Sequence, residues 1–291
     1  MACLQCSLKL IPLWAVFISW LLWWWALPPA PVAVPEQPMS WASQSIVIDG
    51  DEEDADVAGL SVTLVPPPDF SAIGLTDERK QAFIHWLLPL ILHENAEIAA
   101  QRREAVRIYG AWQKKRLSLA QKEWLTNVAT NYGVQVDEGF NLSFWQNLLH
   151  RLDVLPPSLV LTQAAIETGW GTSRVAKEAN NYFGMMCFKK GCGVAAKGMS
   201  GEFRRYAKAQ DSVQSYMRLL NISGIYRAAR MERMKNRLLG EDPSGMLMAK
   251  TLLSYSELGS RYVKFMIQIM NDNELTVYDG VTAMPADLMA P

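Results

Sequence analysis

The chain is 291 residues long and half of it is hydrophobic, enough to bury one sizeable core with an appended segment. Lysine and arginine number 28 against 29 aspartate and glutamate, a formal net charge of −1. That balance argues against a general nucleic-acid binder, whose phosphate contacts need a basic surface, and no nucleic-acid partner is expected.

Leu10 to Leu27 is a run without charge, about long enough for a helix to cross the ~30 Å hydrocarbon core of a bilayer. Lys9 precedes it, and Trp23-Trp24-Trp25 near its far end suits a membrane–water interface, so residues 1–27 read as an anchor. A cleaved signal peptide is the rival reading, opposed by the length of the run and by the lack of a small-x-small site in Pro28-Pro29-Ala30-Pro31. Either carries the rest of the chain out of the cytoplasm. Cys3 and Cys6 precede the run, and their C-x-x-C spacing has no second pair to build a zinc site. Residues 28–75 are proline-rich with acids clustered from Asp51 to Asp56, and they read as a stiff, solvated linker in which 45–48 and 60–65 could pair as short strands.

A mostly helical domain is expected over 76–277, with a tail at 278–291 that has little to bury. Thr76 is expected to cap a long helix kinked at Pro89 and ending in the charged stretch Gln101 to Arg107. Ser118 and Gln121 form a capping box for the next helix, which Gly133 closes, and Ser143 with Gln146 repeats the device for a third. Pro156-Pro157 opens a fourth, since fixed φ suits a first turn, and Gly169 should stop it. Beyond Gly184, four glycines and the alternation Glu202-Phe203-Arg204-Arg205-Tyr206 suggest a small irregular lobe with a strand or hairpin. Helices resume at 211–221, 226–239, 244–255 and 260–270, where Met residues at helical spacing read as core filler.

The fourth helix carries the chemistry. Its last turn holds Glu167 on an otherwise largely apolar segment, where a helix C-terminus disfavours the ionised form and raises the pKa. A proton donor needs that environment. The flanking Gly169 and Gly171 let the chain turn sharply, and Trp170 between them is either a flat apolar face for a sugar or the anchor of the turn.

Gln163-Ala164-Ala165-Ile166-Glu167-Thr168-Gly169-Trp170-Gly171 followed by Ala179-Asn180-Asn181-Tyr182-Phe183-Gly184 resembles the glucosaminidase family of bacterial cell-wall hydrolases, Bax-like members above all. The likeness covers a motif core at 144–270, with Thr168 in place of the commoner serine. It implies a mainly α (α+β) fold, a lysozyme-like helical domain with a small irregular β-lobe, in a bacterial envelope. It implies a hydrolase acting on β-1,4-linked N-acetylglucosaminyl bonds of peptidoglycan glycan strands, held to the inner membrane or exported to the periplasm by the N-terminal segment. A lytic transglycosylase and a non-catalytic wall-binding protein are the alternatives.

Glu167 is the expected general acid. Glu202, the sole acid between Gly184 and Tyr206, is the candidate second carboxylate, and Tyr255 matches a site tyrosine of the family although Ser256 departs from its usual alanine. Gln163, Trp170 and Tyr182 are candidate substrate contacts, with Phe183 expected in the core. Cys187 and Cys192 can form a short-loop disulfide in an oxidising compartment, or stay as thiols. His85, His93 and His150 form no H-E-x-x-H, and neither a G-x-S-x-G nor a glycine-rich phosphate loop occurs, so no metal or other cofactor is implied.

Overall fold

The computed structural model describes residues 66–136, 139–196, 201–252 and 259–281. The apolar run, Cys3 and Cys6, the two candidate linker strands and Tyr255 lie outside them. Among the described residues no helix is long and apolar enough to cross a membrane.

The fold is mainly helical with one small antiparallel sheet. Helix α1 spans Thr76–Gln113 and runs through Pro89. Thr76 is its first residue and Leu75 its cap, without a side-chain cap bond. It outlasts the expected end because its charged stretch is packed: Ala105 and Ile108 are fully buried, and Arg102 donates to the Leu149 and Leu152 carbonyls at 2.6 and 2.7 Å. The Tyr109 and Trp112 rings then meet Trp145. Helix α2, Leu119–Asn131, opens on the Ser118–Gln121 capping box, and Gly133 follows it at φ 64°. Helix α3, Leu142–Arg151, is capped by Asn141, whose Oδ1 accepts from Phe144 N at 2.9 Å. The Ser143–Gln146 box is thus corrected to a cap two residues earlier: Asn and Ser cap about equally well, and starting the helix at Leu142 turns Phe144 and Trp145 into the core.

Helix α4, Pro157–Thr168, is buried along its length except at Ile166 and Glu167. Helix α5, Arg174–Ala179, was not anticipated; Ser173 caps it. Strands β1 (Met186–Cys187), β2 (Gly193–Ala195) and β3 (Glu202–Arg204) form a sheet in the order β1-β3-β2, with Phe203 paired to Met186 on one side and Val194 on the other. Helices α6 (Ala209–Ile222), α7 (Arg227–Leu238), α8 (Gly245–Lys250) and α9 (Ser260–Asp272) follow, and 3-10 turns at Gly224–Tyr226 and Leu275–Tyr278 flank them. Met248, Met266 and Met270 are buried core residues.

Helices α1, α8 and α9 and the Leu275–Tyr278 turn pack around α4. The loop that feeds α4 rests on an ionic layer. Asp153, 3 % exposed, lies 3.2 Å from Arg237, 3.7 Å from Arg102 and 3.9 Å from Arg233. Burial pushes its carboxyl up, but Arg233, Arg102 and Arg237 together hold it below the ordinary range. Buried Arg233 also donates to the carbonyls of His150, Asp153 and Val154, so the charges fix the backbone at the entry to α4.

The start of α4 is held from the end of the chain. Asp279 accepts from Ser158 N at 3.0 Å, Ser158 Oγ at 2.9 Å and Gly245 N at 2.9 Å. The stretch beyond Val277 therefore does bury a functional contact: a carboxylate seated on first-turn donors that have no partner within the helix. Asp279→Ala is expected to lower stability by about 1–3 kcal/mol, because it strands buried donors. Urea unfolding followed by circular dichroism would measure it, and an unchanged midpoint would contradict the clasp.

Candidate active site

Helix α4 stops where Gly169 turns left-handed at φ 56°, ψ 48°. Trp170 and Gly171 continue with positive φ, 60° and 78°, a conformation that costs a non-glycine residue about 1–2 kcal/mol. Thr168 stabilises it: its hydroxyl donates to Ala164 O at 2.6 Å and accepts from Gly171 N at 2.9 Å. A serine could make the same pair of bonds. Phe70 closes the turn from outside, since a Cβ on Gly171 would lie 2.3 Å from its ring.

Trp170 packs edge-on against Phe83, with centroids 5.8 Å apart, and carries the Lys80 ammonium over its ring at 5.8 Å. Of the two readings of Trp170, this geometry favours the anchor. Tyr182 is 2 % exposed, with its ring against Trp86 at 4.9 Å and Phe83 at 6.3 Å, so it belongs to the packing behind the turn more than to an open wall. Phe183 is buried and stacked on Tyr216 at 4.0 Å.

The Asn180-Asn181 pair builds the opposite wall. Asn180 is left-handed at φ 50° and donates to Tyr206 O and Ala207 O. Buried Asn181 accepts from Phe183 N and Met185 N and donates to Met185 O and Arg204 O. It holds the turn that presents Gly184 to Glu167: a Cβ on Gly184, at φ 63°, would stand 3.1 Å from Glu167 Oε2. Burial pushes the Glu167 carboxyl up to about 7. Among the described residues no neighbouring charge contributes to that shift.

Gln163 sits one turn before Glu167 on the same face of α4, 1 % exposed, and neither its Nε2 nor its Oε1 has a hydrogen-bond partner. Glu202 is engaged elsewhere. Its Oε1 accepts from Gly191 N at 2.9 Å and its Oε2 from Gly193 N at 2.7 Å, and those amides hold the carboxyl below its usual range. The Cys187 and Cys192 sulfurs lie at bonding distance, 1.96 Å, closing the loop that Glu202 clamps. Although these three side chains cluster within 4.8 Å, the disulfide and the amide bonds occupy the atoms a metal would need.

Asn181, Gly184 and Phe70 are site residues that the sequence reading did not single out. The first two lie in the quoted Asn-Asn-x-Phe-Gly element; Phe70 left no signal, because nothing local ties it to a turn a hundred residues away.

Residues 143–275 match the family model Glucosaminidase, described as mannosyl-glycoprotein endo-beta-N-acetylglucosaminidase. Protein bax of Escherichia coli (strain K12) is 32% identical over 209 residues, which cover 71% of this chain and 74% of that protein. No solved structure matches. The family match defines a glycoside hydrolase. The chain belongs to the Bax-like glucosaminidase family.

Gly184→Ala is expected to cut turnover at least tenfold, since the new methyl needs a left-handed backbone and crowds Glu167. Steady-state assay beside a thermal melt would separate that loss from unfolding; a folded, fully active variant would refute the contact. Glu202→Gln removes one strong acceptor from the loop amides, so its melting temperature should fall while the folded variant keeps turnover within a few-fold of the parent. A stable but inactive variant would restore Glu202 to the chemistry.

Proposed function

We propose that the protein cleaves β-1,4 glycosidic bonds of N-acetylglucosaminyl residues in peptidoglycan, as an endo-β-N-acetylglucosaminidase, with Glu167 as general acid. The observation that carries this reading is a carboxyl raised to about 7 by burial and closely bordered by Gly184, where a side chain would crowd it. Glycosidic cleavage needs a proton delivered to the departing oxygen as an oxocarbenium-like centre develops. An acid with this pKa still holds that proton at a pH where exposed carboxyls are ionised. The family match supports the same class of bond.

Gln163 offers an amide donor and acceptor on the same helix face, a fit for the N-acetyl group of the sugar. Trp170 and Tyr182 support the turn and the wall, contributing to binding through shape. Tyr255 stays a proposed participant from outside the described residues. The second group is not Glu202 on this reading, because its oxygens are held by amides. Among the described residues no charge perturbs Glu167. The substrate's own N-acetyl group can complete the displacement.

With Glu167 the one acid assigned among the described residues, a second reading is a lytic transglycosylase, in which a sugar hydroxyl attacks and an anhydro product forms. Mass spectrometry of digested peptidoglycan separates them, since the anhydro product lacks one water. Binding without products would leave a wall-binding protein. The N-terminal apolar run supports export to the periplasm, anchored in the inner membrane or released, where the Cys187–Cys192 disulfide is chemically at home.

Glu167→Gln is expected to lower turnover by at least about 100-fold, measured as release of reducing ends from purified peptidoglycan. In the parent, the rate should fall above pH about 7 as the acid ionises. The folded pKa exceeds the ordinary glutamate value of 4.5. The stability Glu167 contributes is therefore fully present below about 4.5 and lost as pH rises through about 7. The glutamine variant should melt higher than the parent at pH about 8 and gain nothing at pH about 4. Parental turnover in this variant would remove Glu167 from the reaction.

A further inference from the structure

The loop between β1 and β2 is tied down more than its exposed tip requires. Its ends are joined by the Cys187–Cys192 disulfide, Cys192 N donates to Lys189 O at 3.1 Å, and Glu202 fixes the Gly191 and Gly193 amides. Three ties constrain a loop whose tip faces solvent: Phe188 is 54 % exposed, and Lys189, Lys190 and Gly191 are exposed beside it. Among the described residues, the other large exposed apolar side chains lie in helices or helical turns or at their ends. A single exposed leucine on a helix needs no explanation. An aromatic ring held out on a cross-linked loop, with two ammonium groups next to it, has the form of a binding element whose ordering cost is met before a ligand arrives.

The loop is also close to the proposed chemistry. Gly184 borders the Glu167 carboxylate, and Phe188 follows along β1; at ~3.3 Å per extended residue it lies within roughly 13 Å of Gly184, a few saccharide rings away. We infer that the Cys187–Cys192 loop is a second contact site for the glycan strand, with Phe188 taking the apolar face of a sugar and Lys189 and Lys190 taking the carboxylates of the peptides that the strand carries. The inference rests on the peptidoglycan reading above. Aromatic rings present flat apolar faces suited to a pyranose, and exposed lysines pair with carboxylates in a salt-dependent way.

The test is co-sedimentation of the full chain, carrying Glu167→Gln so that nothing is digested, with purified sacculi and with sacculi stripped of their peptides by an amidase. Phe188→Ser is expected to weaken binding about 3- to 10-fold on both, and Lys189→Glu with Lys190→Glu by a similar factor on intact sacculi only, an effect that about 0.5 M salt abolishes. All three substitutions are on the surface, and circular dichroism checks that the fold persists. Parental binding by either variant to intact sacculi overturns the inference, as does an equal loss by the lysine variant on stripped glycan. Failure of the hydrolase reading looks different: the unsubstituted parent releases no sugar although the binding pattern holds.

Discussion

Desolvation of one carboxyl is the constraint on which the arrangement depends. Glu167 is the only acid in a helix buried on nearly every other residue, and its protonated form is favoured because the surroundings offer an ionised oxygen so little. Keeping it so needs walls on several sides. Asn181 presents Gly184 from the loop after α5, Thr168 holds the turn beyond the helix, and Phe70 seals that turn from the chain's earlier segment. None of these residues is ionisable. The site is thus assembled from backbone shape and hydrogen-bonded amides, and among the described residues no charge counters the acid's burial.

The charges are elsewhere, at the opposite end of the same helix. Asp279 accepts three bonds at the start of α4, and the Asp153–Arg102–Arg233–Arg237 layer supports the loop that leads into it. A helix so fixed at its entry has its exit defined by length alone, since each residue adds about 1.5 Å along the axis. Polar contacts that remove freedom at one end therefore set the position of a side chain at the other.

Legibility in the sequence followed how local each interaction is. The stop at Gly169 and the Ser118–Gln121 box were readable because the residues that make them are neighbours. The third helix was misread by two residues because Ser143 and Asn141 are both good caps and tertiary packing of Phe144 and Trp145 chose between them. Helix α1 was cut short because charged residues at 101–107 look like a solvated end, whereas Arg102 is engaged by carbonyls far along the chain. Glu202 was singled out by elimination among acids; what it accepts from depends on a loop closure that spacing does not reveal. Asp279 and Phe70 act across more than a hundred residues and carry no pattern at all.

Phe70 has an implication for what counts as the domain. The residues matched by the family model begin at 143, yet the ring that seals the turn after Glu167 comes from residue 70, and the rings behind it, Phe83 and Trp86, come from α1. A recombinant fragment trimmed to the matched region would expose the cleft's back wall to water and leave Trp170 with neither Phe83 nor Lys80 against it. In this protein the smallest heritable unit of the site is therefore larger than its family signature, and substitutions at 70, 83 and 86 are expected to co-vary with the turn at 168–171 as if they belonged to it.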